Sequence, residues 1–467
     1  MICRTAAMFA MHYLSPDWRP TLDYSVDSTI VPARCHYDDD DGLELCNVAL
    51  ASVADAWAAQ VDTLGFEAPM PDDDGLLDLY MTNDGTDGGA YTYGPYEDED
   101  DKDGKMGCHA YMVLSPAIGA SQMPYFVAHE FQHVLQYATD FTEPTLPIWE
   151  AVAEAAMAWT YTDQTLAIYE LKDFQKTPWL GILGDSYTLY DDYGVYSYYE
   201  YGAGLWILHL EANWGDGTGS SGVEIWQDVI QEGWANEPDV LDAYEAVTGD
   251  WRAALLDFSV QRARVGTETA PDWASFAGTS GKVKIDTTVD ASELPADVAP
   301  RVGPYQTGVI YVEVEGLEAG QTIKAEVQSD DDLTWAMLAV EGASDSSGAG
   351  TSIQWTSGGE TVTIGVLNLG KADFDADQRI RESDMTLRIS VVGEGDTGGD
   401  DTGGGDDSDS GDDTAVDSGD DTGAPHEDPG KEPRNCGCAS GGSSGAAGGG
   451  AAFSLAALGL MLARRRR

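Results

Sequence analysis

The segment Pro124–Asp140, PYFVAHEFQHVLQYATD, constrains this chain more than any other. Phe126, Val127, Phe131, Val134 and Leu135 form an apolar stripe at helical spacing, with no Gly or Pro after Pro124. Pro124 itself suits a first helical turn. Residues four apart on a helix lie on one face. His129 and His133 can therefore point two imidazoles at one metal ion, with the carboxylate of Glu130 beside it. Histidine is scarce, 7 in 467 residues, and two fall here at ligand spacing. The competing reading is an ordinary helix that matches a short pattern by chance, so the case rests on the residues downstream.

Downstream lies a loop with Pro144 and Pro147 and then Ile148–Thr160, IWEAVAEAAMAWT, helical by its alanine content and periodicity. Glu150 and Glu154, four apart, share a face of it. A tyrosine-rich stretch, 190–201, leads into an apolar helix over Gly202–Trp214, GAGLWILHLEANW. Further helices are expected at 222–232, 238–247 and 250–264, with Asp250 as N-cap of the last. Upstream, 45–64 reads as an amphipathic helix stopped by Gly65, and 76–81 and 108–114 read as strands on either side of an acidic, Gly-rich loop. Residues 7–14 read as a first strand and not as a leader peptide, which places the expected true start upstream of Met1.

Length predicts two or three domains, and 42% hydrophobic residues supply ample core. The formal net charge is −58, which opposes a phosphate backbone and excludes nucleic acid as a partner class. The 6 Cys show no zinc-finger spacing. Cys35 and Cys46 flank an acidic loop and could close a small disulfide; Cys3 and Cys108 could pair or stay reduced. Structural Ca²⁺ is a second candidate cofactor. Glu99, Asp101, Asp103 and Gly104 look like the front half of a Ca²⁺ loop, but the closing acid near Ala110 is missing, and a solvated acidic loop is the better reading. Asp373, Asp375, Asp377 and Asp384 could also hold Ca²⁺, although Gln378 stands where such a loop needs Gly.

From about Ala270 the period changes. Runs at 283–285, 308–314, 322–327, 334–340, 361–367 and 385–392 are short, alternating and β-branched, separated by Gly, Asp and Ser turns, as in an antiparallel β-sandwich. Residues 394–429 carry hardly an apolar side chain and cannot bury a core. The end runs Cys436-Gly-Cys438, a Gly/Ala stretch rising to the apolar run 453–463, then Arg464–Arg467. The apolar run is short for a spanning helix, and the terminal arginines suit retention on the cytoplasmic side of a membrane.

Two resemblances attach here. The tail 435–467 resembles the MYXO-CTERM sorting signal of myxobacterial surface proteins. That implies export, sorting and processing machinery as partners, and attachment to the membrane or cell surface. Residues from about Ala7 to Gly266 resemble secreted gluzincin-type zinc metallopeptidases of the peptidase MA kind, which carry H-E-x-x-H on one helix, a Trp-Glu-bearing motif on the next, and a later Tyr-x-x-Gly helix. Here these are His129 to His133, Trp149-Glu150-Ala151-Val152-Ala153-Glu154, and Tyr201-Gly202-Ala203-Gly204. Ala151 replaces the usual Gly, and no spacer separates Trp149 from Glu150. Glu150 lies 150 − 133 = 17 positions past His133, and Glu154 lies 154 − 133 = 21, so Glu154 is a rival third ligand. The pattern favours Glu150, with Glu154 in a supporting or alternative role. A metzincin fails, because its Gly and third His would fall at Gln136 and Thr139.

The resemblance implies an α+β zincin-like catalytic domain over 1–268, a small antiparallel-edged sheet with helices. A β-sandwich at 269–393, an acidic disordered linker at 394–434 and an anchor segment at 435–467 complete the expected order. Two His and one Glu complete the three-ligand set of a catalytic zinc, leaving one position for water. Such a zinc-activated water would use Glu130 as general base, and Tyr201, with Tyr198 and Tyr199 near it, is the candidate oxyanion donor. The strand 108–114 is the expected edge for an extended peptide or protein substrate. His109 and His209 read as packing residues. The expected activity is peptide-bond hydrolysis by a secreted, surface-anchored metalloendopeptidase. The alternatives are a non-catalytic surface binding or adhesion protein that keeps the zincin fold, and a Ca²⁺-dependent adhesion module.

Overall fold

The computed structural model describes residues 18–86, 88–94, 107–139, 146–161, 168–215, 240–277, 281–374, 380–393 and 437–438. Within them the protein is mixed α+β, with three sheets. The N-terminal strands are β1 (Tyr24–Asp27), β2 (Ala33–Tyr37), β3 (Leu77–Met81), β4 (Ala90–Tyr93) and β5 (Tyr111–Leu114). They lie in the order β1-β2-β3-β5-β4, and the tail strand Gly437–Cys438 continues the sheet beyond β4. β2, β3 and β5 run parallel, while β1 and β4 are antiparallel to their neighbours.

This order corrects one expectation. The strand before the histidine-bearing helix, β5, is internal, paired on one side with β3 and on the other with β4. The strand on its outer side is β4, with the two-residue tail strand beyond it; β4 is four residues inside a stretch that reads as loop because Gly and Asp surround it. β1 and β2 were likewise not legible as strands. Tyr24–Asp27 is mostly exposed, and Ala33–Tyr37 carries Arg34 and His36 at alternate positions.

Helix α1 (Asp40–Ala56) begins five residues earlier than its apolar stripe implies. Asp39 caps it by accepting from Gly42 N at 2.7 Å, and Asp40 and Asp41 sit in the first turn, where acids favour the helix dipole. It runs on as wider π-helical turns over Trp57–Thr63. Cys46 on α1 and Cys35 on β2 form the expected disulfide. Cys108 is buried and in no disulfide among the described residues.

The helix that carries His129 and His133 is α2 (Met123–Thr139), followed by α3 (Leu146–Thr160), α4 (Ile168–Lys176), α5 (Ser186–Tyr193), α6 (Tyr199–Gly202), α7 (Gly204–Asn213), α8 (Val240–Thr248) and α9 (Trp251–Arg264). The single helix expected over 202–214 is two, α6 and α7, meeting at Ala203. Asp250 caps α9, accepting from Ala253 N at 3.0 Å. Helices α1 and α3 pack on either side of α2, so almost all of α2 is buried.

The β-rich region contains β6 (Thr287–Asp290), β7 (Ala296–Val298), β8 (Val309–Glu315), β9 (Thr322–Gln328), β10 (Trp335–Glu341), β11 (Ser344–Ala349), β12 (Ser352–Thr356), β13 (Val362–Asn368) and β14 (Thr386–Val391). They form two sheets, β11-β10-β13-β8-β6 and β12-β9-β14-β7, antiparallel except for the β6–β8 pair. The strand expected at 283–285 instead begins at Thr287. β11 was invisible in the sequence, being six small or polar residues, all exposed.

Alternation along β10 shows how the two regions join. Trp335, Met337 and Ala339 face the core between the sheets, while Ala336, Leu338 and Val340 face the helical core with Phe258 of α9. A strand covered on both faces reads as a continuous apolar run, which is what WAMLAV is. Across this junction Tyr311 donates to Ser259 O at 2.7 Å, and the Arg264 guanidinium of α9 donates to Ala343 O at 3.0 Å. The core of the helical region thus extends past residue 268 into the β-rich part.

The expected first strand at 7–14, the helix at 222–232, the acidic loop 99–104, Asp375, Asp377, and the linker and anchor other than Gly437–Cys438 lie outside the described residues. No helix among the described residues is long and apolar enough to cross a membrane.

Candidate metal centre

His129 and His133 project from one face of α2, as their spacing requires, and Glu150 reaches them from α3. The three form the group of ligand-type side chains among the described residues that could hold a metal ion. His129 Nε2 and His133 Nε2 are 3.0 Å apart; Glu150 Oε2 lies 3.2 Å from the first and 3.5 Å from the second. Tetrahedral bonds of about 2.0–2.1 Å hold ligand atoms roughly 3.3 Å apart. The observed triangle has that size, and its donors, two imidazole nitrogens and one carboxylate oxygen, suit a borderline divalent cation.

A hydrogen bond holds His133 from behind, and a carboxylate faces the back of His129. Gln136 Nε2 donates to Trp149 O at 3.1 Å, which turns its Oε1 toward His133 Nδ1 at 2.7 Å. An amide oxygen only accepts, so Nδ1 carries the proton and Nε2 offers its lone pair to the centre. On the other ring, Glu154 Oε1 lies 3.1 Å from His129 Nδ1. Glu150 and Glu154 therefore take opposite edges of the same imidazole, Glu150 on the Nε2 side and Glu154 behind it.

The electrostatics favour a cation. Glu130, Glu150 and Glu154 are all buried, each at most 5% exposed, around two imidazoles. Burial by itself would raise the Glu150 carboxyl, but the charge of His133 and hydrogen bonds from both rings outweigh it and hold it down to about 2. Burial pulls His129 the other way, and the Glu150 and Glu154 carboxylates override that to raise it well above the usual imidazole value. Buried carboxylates around the two rings favour positive charge at this place, which a divalent ion would supply.

Glu130 is fixed by β4. Alternation sends Tyr91 and Tyr93 to an aromatic cluster with Tyr80 and Tyr111, and Thr92 toward α2. Thr92 Oγ1 lies 2.8 Å from Glu130 Oε2 and 2.9 Å from Glu130 O, while Glu130 Oε1 has no hydrogen-bond partner although buried. Thr92 carried no signal in the sequence. Gln136 did, sitting three residues past His133 on the same helix face.

Tyr201 stacks on His129, ring centroids 5.8 Å apart and planes 19° apart, and Tyr198 meets Tyr201 edge-on at 5.8 Å. Tyr199 is committed elsewhere: its hydroxyl donates to Gly181 O at 2.7 Å. The Tyr-Gly-x-Gly spacing has a packing reason, because a Cβ on Gly204 would stand 2.9 Å from Glu154 Cβ and 3.3 Å from Ala151 O. Only glycine lets α7 approach α3 that closely. His109 pairs with Arg19 at 3.3 Å, and His209 is buried against Trp206 with burial pushing it down to about 3. Neither joins the metal group. Compared with family models and with curated proteins, the chain gives no match.

Proposed function

We propose that this chain is a zinc-dependent metalloendopeptidase of the gluzincin kind, secreted and held at the cell surface. The observation that carries the reading is the buried triad His129, His133 and Glu150, at tetrahedral edge lengths, with Glu130 beside it. Zinc in such a set supplies Lewis acidity and lowers the pKa of a bound water toward neutrality. Glu130 is the base: Thr92 anchors one carboxylate oxygen and leaves Oε1 to take a proton and pass it to the departing amine. Glu154 and Gln136 hold the two imidazoles in the ligating tautomer. Tyr201, against His129, donates to the oxyanion that develops on the substrate carbonyl. The Cys35–Cys46 disulfide supports an oxidising compartment, and the Cys-Gly-Cys, apolar, Arg-rich order of the tail supports surface attachment.

The test is hydrolysis of casein by the full chain supplied with zinc, beside Glu130→Gln. The expected result is cleavage by the native chain and none by the variant, with zinc content equal in both. Zinc bound by both and no cleavage by either overturns the peptidase reading.

A further inference from the structure

The turn that carries Tyr201 is too short to orient itself. α6 (Tyr199–Gly202) has four residues, and a single turn of helix is not stable alone in water. Its direction is therefore set by what its side chains meet. Tyr199, fully buried, donates its hydroxyl to Gly181 O at 2.7 Å. The carboxyl oxygens of Glu200 accept from Ser186 N and Oγ, at the start of α5, at 2.9 and 2.7 Å. With those two residues held, Tyr201 stacks on His129.

Gly181 is in turn held from the β-rich region. The turn 304–308, just before β8, meets the segment 179–183 backbone to backbone. Trp179 O accepts from Tyr305 N at 2.8 Å, and Thr307 Oγ1 accepts from Leu183 N at 3.3 Å. A Cβ on Gly181 would overlap Thr307 and stand 2.6 Å from Gly308 N, so only glycine allows the approach. Thr307 has a φ of 69°, and among the described residues it alone takes a positive φ without being glycine. A β-branched residue pays for that conformation and keeps it where its surroundings dictate it. Here Thr307 N donates to Asn368 O at 2.7 Å and Asn368 Nδ2 donates to Pro304 O at 3.0 Å, which ties the turn to the end of β13.

We propose that Tyr199 is a positioning residue for Tyr201, and that the turn 304–308 of the β-rich region supports it by way of Gly181. The stacking of Tyr201 on His129 thus depends on a region that holds none of the three candidate ligands. The positioning stands on these contacts alone; its consequence for catalysis rests on the peptidase reading, in which Tyr201 donates to the oxyanion.

Tyr199→Phe in the full chain is the test, because it keeps the buried ring and deletes only the hydroxyl. The Tyr201 ring shifts the Hε1 resonance of the imidazole it stacks on, so NMR of histidine-labelled chain reads its position, with Tyr201→Leu giving the unstacked value. The expected result is that Tyr199→Phe moves the His129 resonance toward the Tyr201→Leu value, with circular dichroism as the folding control. Thr307→Val keeps the branched shape and loses the acceptor; it is expected to move the resonance the same way, and Thr307→Ser to leave it in place. With zinc and casein, Tyr199→Phe is expected to lower kcat roughly 10–100-fold at unchanged KM, and to cost nothing further in a Tyr201→Phe background. A His129 resonance unmoved by Tyr199→Phe overturns the positioning. A resonance moved by Tyr199→Phe and not by Thr307→Val overturns the support from the β-rich region. Equal losses of kcat in the two backgrounds overturn the action through Tyr201. A moved resonance with no hydrolysis by the native chain upholds the positioning while the peptidase reading fails.

Discussion

Replacing Glu150 and Glu154 separately by Gln tests the metal centre most directly. Each change keeps the shape and removes one charge. Glu150 Oε2 sits 3.2 and 3.5 Å from the two Nε2 atoms, so it is the third corner of the ligand triangle. Glu154 Oε1 sits 3.1 Å from His129 Nδ1, on the far side of the ring. Zinc held by a full protein ligand set is worth roughly 10–16 kcal/mol. One of three ligands therefore carries about 3–5 kcal/mol, and Glu150→Gln should weaken zinc by roughly 10²–10⁴-fold. Losing a partner that only orients a ligand costs about 10–100-fold, the expectation for Glu154→Gln. Competition against a chromogenic zinc chelator at fixed pH measures both, with circular dichroism as the folding control. If Glu154→Gln weakens zinc as much as or more than Glu150→Gln, the assignment of the third ligand is wrong.

Three further outcomes rest on the same packing. Glu200 is buried and accepts from Ser186 N and Oγ at 2.9 and 2.7 Å; burial and then the Asp185 charge push its carboxyl from 4.5 up to about 8. Between those values the folded chain keeps a proton the unfolded chain has lost, so the contribution to stability is full below 4.5, falls as pH rises toward about 8, and is level above. Glu200→Gln should flatten that slope in urea midpoints taken from pH 4.5 to 8.5; parallel curves for the two proteins would refute it. The Cys35–Cys46 bridge spans 11 residues, so its removal by a paired Cys→Ala change should lower unfolding free energy by about 3 kcal/mol in urea titrations. Gly204→Ala places a Cβ 2.9 Å from Glu154 Cβ, and should cost about 1–3 kcal/mol of stability while also weakening zinc, since α3 must shift.

The helix that carries His129 and His133 was legible because its signal is local. One turn of helix fixes where residues 129 and 133 point, and the stripe from Phe126 to Leu135 says which face is buried. The β-rich region was legible by its period of two, and Asp250 by its cap chemistry. The short elements were not. β4 has four residues among Gly and Asp, and β11 is polar throughout, so neither contrasts with the loops around it.

By itself, then, the sequence determined the pair of histidines, the glutamate between them, the two candidate acids and the change from helical to β periodicity, each a consequence of spacing within its own segment. Only the tertiary structure decided which acid completes the triangle, because Glu150 and Glu154 share a helix face and differ only in which edge of His129 they meet. The tertiary structure also brought Thr92 to Glu130 across 38 residues and placed β5 inside the sheet, between β3 and β4. Strand order and cross-chain hydrogen bonds depend on how separate segments stack, and no spacing within a segment encodes that.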